Sequence, residues 1–276
     1  MVANYLHGHR NSRVHAIILT RDRPETLRRC LALALRSLDD QDVLTILDDS
    51  TAPIAPPLWA LITSAPHAAS PTCIYLSSLD TRDAITQACP ANCSWLSKTA
   101  PRDIAPLRNT ALLLAAAQPA ETTLLVDDDI DNFNLIATHH RLVALAKGSV
   151  IGGAHIGGIS ELDTVTRLAE AIDHMEHLAG AKPESPRNLF QVSEDLSCAG
   201  ACNYVSGGYL AFRLSPDQMF AFPPGYNEDW LWCLLHRSNQ HLQIVRFPEV
   251  VSHDPPEVRR PSRDDLLFGR PNLRRD

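Results

Sequence analysis

Along the first half of the chain, short continuous apolar runs alternate with stretches in which apolar side chains recur every three or four positions. The run at 15–20 (HAIILT) ends in Arg21, Asp22, Arg23 and Pro24, the pattern of a buried strand leading into a loop. Leu27, Cys30, Leu31, Ala34, Leu35 and Leu38 then fall at helical spacing, with Pro24 and Glu25 suited to a helix's first turn. A second apolar run, 43–47, leads straight into Asp48, Asp49 and Ser50. Strand, helix and strand within about 35 residues open a βαβ unit and predict a parallel sheet with helices on its faces.

The alternation continues downstream. Residues 51–70 are rich in Pro, Ala and Ser, with a short helix predicted at 57–63, and 72–76 reads as a strand. After an irregular segment carrying Cys89, Pro90, Cys93 and Pro101, a helix over 106–118 leads to a strand over 122–126 and then to Asp127, Asp128 and Asp129. Beyond Asp131 the pattern predicts a glycine-containing strand at 150–156. An amphipathic helix follows over 164–178 (Val165, Leu168, Ala171, Ile172, Met175, Leu178), closed by Gly180, and then a polar loop with Pro183 and Pro186, a candidate lid. Residues 203–213 read as a strand with Gly207 and Gly208 inside it, and Ser215, Pro216 and Gln218 form a capping-box signature. A helix over 227–237 and two strands, 242–247 and 250–252, precede an arginine-rich tail. With no internal repeat and no linker-like stretch, a single mixed domain is the economical description.

Composition narrows the class. Of 276 residues, 45% are hydrophobic and 21% charged, an ordinary soluble globular balance. The apolar stretch 111–117 falls far short of the roughly 18 residues a membrane span needs, and residues 1–13 lack the apolar core of a signal peptide. The expected compartment is the cytoplasm. A net charge of −7, from 32 acids against 25 bases, argues against a nucleic-acid binder that works by neutralising phosphates. Seven cysteines, including the C-x-x-x-C pairs Cys89/Cys93 and Cys198/Cys202, read as reduced, buried thiols rather than as a disulfide framework or a zinc site.

Chemistry concentrates at the acidic positions. Asp127, Asp128 and Asp129 follow an apparent buried strand, and like charges so close repel unless a cation is supplied. Their hard oxygens suit Mg²⁺ or Mn²⁺, and the loop after a parallel strand is where α/β sheets bind ligands. A solvated acidic turn is the plain alternative. Asp48 and Asp49 also follow a strand, so both clusters should share one sheet edge, with Arg108 and Asn109 near a helix start. Glu228 and Asp229 sit in the first turn of a predicted helix, where the dipole favours their charge. Tyr209, Phe222, Tyr226, Trp230 and Trp232 either wall that position or form plain core.

The series Ile17, Ile18, Leu19, Thr20; Arg23, Pro24, Leu27; Leu47, Asp48, Asp49, Ser50; Arg108, Asn109; and Val126, Asp127, Asp128, Asp129 resembles the nucleotide-sugar half of family-two glycosyltransferases of the GT-A fold. In the second half, Gly207 and Gly208 resemble that family's glycine loop, Glu228 and Asp229 its x-E-D motif, and His253 its C-terminal metal-site histidine. The resemblance spans roughly 14–254. It implies an α/β, Rossmann-like, mainly parallel mixed sheet flanked by helices in one domain over 1–276. Within it, 14–130 would bind the nucleotide-sugar, 131–254 would bind the acceptor and carry catalysis, and 255–276 would be the arginine-rich tail.

Carried over residue by residue, the resemblance implies Asp129, Asp127 and His253 as ligands of Mn²⁺ or Mg²⁺, with Asp128 the variable middle position of the D-x-D motif. Thr20, Arg23, Asp48, Asp49, Arg108, Asn109, Asp127 and Asp128 would contact the donor, and Gly207 and Gly208 would let the backbone approach its sugar. Asp229, beside Glu228, would be the general base. One base and no carboxylate nucleophile imply a single displacement with inversion. The implied partners are a UDP-sugar donor and a small-molecule, glycan or peptide acceptor.

The chain departs from the family pattern in two places: Arg21 and Asp22 stand where an aromatic or Asn is usual, and Ser50 where a Gly is. The chain lacks a Q-x-x-R-W motif, which points away from processive polysaccharide synthesis. Four other readings compete. Two share the fold: a retaining glycosyltransferase, and a sugar-phosphate nucleotidyltransferase, which needs a glycine-rich first loop that 20–24 does not have. The others are a Mg²⁺-dependent phosphohydrolase and a non-catalytic zinc-binding interaction protein. The tail (Arg259, Arg260, Arg263, Arg270, Arg274, Arg275) reads as a solvated terminus or a homodimer contact, or else as a clamp on an anionic acceptor or the donor.

Overall fold

The last seven residues of Ser12–Thr20 (β1) are buried, as expected of a strand covered on both faces. It lies between two parallel neighbours, Val43–Asp48 (β2) and Ala120–Asp127 (β4), and β2 in turn pairs in parallel with Thr72–Ser77 (β3). These belong to a nine-stranded sheet in a computed structural model that describes residues 12–51, 71–77, 104–118, 120–145, 150–157, 200–201, 205–223, 228–240 and 242–253. The remaining strands are Ile130–Asp131 (β5), Val150–Gly157 (β6), Gly200–Ala201 (β7), Tyr209–Arg213 (β8) and Gln243–His253 (β9). Spatial order is β3-β2-β1-β4-β8-β6-β9-β5, with β7 on β9. β8 is antiparallel to both β4 and β6, and β9 is parallel to β6, so the sheet is mixed with most of its paired length parallel.

Alternation along β1 assigns the helices to faces. Val14, Ala16 and Ile18 face Pro24–Ser37 (α1) and Leu135–Leu145 (α3), whereas Ile17 and Leu19 face Ile104–Ala117 (α2) and Glu228–Gln240 (α4). The result is a three-layer α/β/α sandwich with an apolar core on each face of the sheet. No described helix is long and apolar enough to cross a membrane.

Three expectations need correction. The helix Leu135–Leu145 was not anticipated, because His139, His140 and Arg141 interrupt its apolar pattern. Thr138 and His139 are nonetheless buried, through side-chain contacts with the Tyr209 hydroxyl and Thr122 Oγ1, both at 2.8 Å. The strand expected over 203–213 begins only at Tyr209, and Gly207 and Gly208 form a turn ahead of it. The strands expected at 242–247 and 250–252 are one strand, β9. Pro248 falls where β6 shifts register between Gly153 and His155, so no ladder bond is asked of its missing N–H. The expected helices at 57–63 and 164–178, the 183–186 loop and the paired cysteines lie outside the described residues.

One buried carboxylate fastens the amino end of β1. Asp42 accepts from Arg13 Nη2 at 2.8 Å, Arg13 Nε at 3.3 Å, Val14 N at 3.2 Å and Asp39 N at 3.0 Å. Replacing it with Ala strands those donors, so Asp42→Ala should lose about 2–3 kcal/mol in denaturant unfolding and Asp42→Asn distinctly less. Equal losses for the two would contradict this account.

Candidate active site at the carboxyl edge of the sheet

Register aligns the ends of the parallel strands. Thr20 pairs with Asp48, Leu19 with Asp127, and Asp48 with Ser77. β2 and β3 lie on one side of β1 and β4 on the other, so the chains leaving β1 and β4 diverge and open a crevice between them. Both acidic clusters stand at this edge, as the sequence pattern predicted.

In the triplet each aspartate has a different setting. Asp128 is 1% exposed; its Oδ2 accepts the Thr20 hydroxyl at 2.6 Å and its Oδ1 lies 3.2 Å from Arg23 Nη2. Asp129 accepts from Arg23 Nη1, and Asp127 from Arg108 Nη2 at 3.2 Å. Burial pushes the Asp128 carboxyl up to about pKa 7, although Arg23 and the Thr20 hydroxyl pull it down. His253, the last residue of β9, pairs through its backbone with Ile130, directly after the triplet.

On the β2 side, Asp48 accepts from Ser50 N at 2.8 Å and from the Tyr75 hydroxyl, and Asp49 from Arg21 Nε at 2.8 Å. Asp22, at φ 54°, donates its N–H to Ser50 Oγ at 2.7 Å and accepts from Thr51 N at 2.9 Å. The loops after β1 and β2 are thereby fastened to each other, and the positions that depart from the family pattern are the ones that fasten them.

Across the crevice, buried Arg108 donates to Glu228 through Nη1 and lies 5.8 Å above the Phe222 ring. Asn109 and Phe222 exchange two bonds, at 2.9 Å and 2.6 Å, which fix that ring. A Cβ at Gly207 would collide with the Arg108 guanidinium, so glycine is required there for the arginine to reach its carboxylates. The Gly207 N–H donates to Asp229 Oδ2 at 2.8 Å, and the Gly208 carbonyl accepts from Asp127 N at 2.9 Å. The glycine turn therefore touches both acidic motifs. Burial raises Glu228 to about pKa 7 against the pull of Arg108.

Of the aromatics considered as walls, Trp232 stacks on Phe222 at 4.7 Å within the core, and Tyr209 packs against Phe133 on the opposite face. Tyr226 and the Trp230 side chain lie outside the described residues. Tyr75 was not singled out from sequence. Its signal is positional: it pairs with Ile46, two residues before Asp48.

The carboxylates of Asp127, Asp128, Asp129, Glu228 and Asp229 act on the guanidiniums of Arg23 and Arg108, an excess of negative charge. The hard carboxylate oxygens of this donor set fit Mg²⁺ or Mn²⁺. Among the described residues, no three His, Cys, Asp or Glu side chains are already drawn around one point. Asp127 and Asp129 face arginines instead.

Solved structures share this architecture. Glucosyl-3-phosphoglycerate synthase from Mycobacterium tuberculosis, with Mn²⁺, UDP and glucosyl-3-phosphoglycerate, matches at 16% identity and TM-score 0.51 over 88% of this chain and 72% of that one. The same synthase with phosphoglyceric acid matches at 16% identity and TM-score 0.53, with the same coverage. The chain has the GT-A fold. A mycobacterial protein matches at 16% identity and TM-score 0.53 over 94% of this chain and 72% of that one. No family model and no curated protein sequence matches the chain.

Two outcomes follow from this geometry. Gly207→Ala should cost about 1–3 kcal/mol by overpacking, and most of that cost should vanish in an Arg108→Ala background, where the clash is gone; additive losses in the double-mutant cycle would reject the contact. Asp128 binds its proton more tightly folded than unfolded, so its ionisation erodes stability as pH rises from its ordinary range toward 7. In chelator-treated protein, Asp128→Asn should therefore gain stability over the native protein progressively as pH rises from about 4 to about 7, and the gain should level off above that. A pH-independent difference in unfolding midpoint would contradict the assignment.

Proposed function

We propose that the protein is an inverting, metal-dependent glycosyltransferase that moves one sugar from a nucleotide-diphosphate sugar, UDP being the expected nucleotide, to a hydroxyl of a discrete acceptor. The observation that carries the reading is the meeting of the two acidic motifs across one glycine turn. Gly208 is bonded to Asp127 and Gly207 to Asp229 at the switch point of a GT-A sheet. A structure of this fold that holds Mn²⁺, UDP and a glucosylated product supports the metal and nucleotide-sugar parts of that reading.

Asp127 and Asp129, with His253, are the residues that would hold Mn²⁺ or Mg²⁺, which when bound supplies positive charge to the departing diphosphate. Arg108 adds a buried guanidinium on the same side, held in place by Glu228. Thr20, Asp48, Asp49 and Asn109 complete the donor side of the site. Because Glu228 is committed to Arg108, Asp229 is the carboxylate that takes the acceptor proton. It stands in the first turn of α4 and is held there by the Gly207 N–H.

Titration calorimetry of UDP, then GDP, with and without Mn²⁺, should show Mn²⁺-dependent binding of one nucleotide that is lost in Asp129→Ala. Binding of neither nucleotide would overturn the reading. With a working acceptor, Asp229→Asn should lower kcat by about 10²–10⁴-fold while Mn²⁺-UDP affinity stays within a few-fold. NMR of the product should show the opposite anomeric configuration to the donor; retention would reject Asp229 as the base of a single displacement.

A further inference from the structure

We propose that Arg23 is a specificity residue for the cation, an internal counter-ion that makes divalent binding contingent on the diphosphate. This assignment rests on Asp127 and Asp129 being the cation's ligands. Arg23 lies at the amino end of α1 and grips both Asp128 and Asp129, so an ion approaching Asp129 meets a positive charge already in place. The two arginines that pair with the triplet differ in their freedom. Arg108 is 6% exposed and keeps Glu228 as a partner whatever Asp127 does, and Phe222 and Gly207 pack against it.

Arg23 is 32% exposed, and both of its ion-pair partners belong to the triplet. A guanidinium released from Asp129 needs a replacement anion, and a diphosphate in the same crevice offers pairs of oxygens that its planar fork can grip bidentately. Arg23 thus opposes a bare cation and favours a cation that arrives with a diphosphate. By linkage, UDP must strengthen Mn²⁺ binding by the same factor that Mn²⁺ strengthens UDP binding.

The test is electron paramagnetic resonance of free Mn²⁺, titrated with native protein, Arg23→Gln and Arg23→Lys, each with and without UDP. In Arg23→Gln, Mn²⁺ alone should bind about tenfold tighter than in the native protein, and the enhancement by UDP should shrink by about tenfold. Arg23→Lys keeps the charge without the fork and should fall between the two. Mn²⁺ binding to Arg23→Gln that is equal or weaker, with UDP enhancement intact, would overturn the counter-ion role while leaving the metal site standing. Failure of all three proteins to take up Mn²⁺ even with UDP would remove the metal reading itself, and this inference with it.

Discussion

Negative charge buried at the end of β4 is the constraint around which the site is arranged. Asp127 ends β4 after the apolar run 124–126, Asp128 and Asp129 follow it directly, and water is largely shut out from Asp128 and Asp129. Two arginines from opposite sides make that tolerable. Arg23 comes from the loop after β1, and Arg108 from the helix that leads into β4. Arg108 needs room, which the glycine turn provides, and a second carboxylate, which α4 provides. Buried charge is stable only when paired, so the positions of α2, α4 and the turn before β8 are coupled through one guanidinium.

The coupling gives the motifs a shared physical basis. Gly207 lies in the turn before β8 and Glu228 and Asp229 at the start of α4, yet Gly207 makes space for Arg108, Glu228 binds it, and Asp229 holds the Gly207 amide. Altering one of them disturbs the others' geometry before any ligand arrives. The raised carboxyls of Asp128 and Glu228 show the strain of this arrangement, with desolvation exceeding what the arginines return.

Much of this was legible in the sequence wherever local pattern and tertiary role agree. The parallel half of the sheet announced itself through short, largely apolar runs, those of β2 and β4 ended by acids, because its strands are covered on both faces. α3 was hidden because Thr138 and His139 are buried through partners far away in sequence, Tyr209 and Thr122, which no periodicity encodes. Asn134, whose side chain accepts from Ala137 N at 2.9 Å, was the available local signal for its start. The pairing of Arg108 with Glu228, 120 residues apart, was equally out of reach. The resemblance could gather those residues at one site but could not say which side chain neutralises which.

The continuity of β9 divides the site mechanically. From Gln243 to His253 it is a single strand laddered to β6, with β7 and β5 on its other edge, and only a short connection separates it from α4. The helix start that bears Asp229 and the strand end that meets the acidic run therefore belong to one stiff frame, and bending it would break many main-chain bonds at once. The opposite rim, from Arg21 to Arg23, is joined to the β2 side and the triplet mainly by side-chain bonds and ion pairs that give way one at a time. Compliance is thus concentrated on the rim, and a substrate entering or leaving the crevice is accommodated there while the frame keeps its shape.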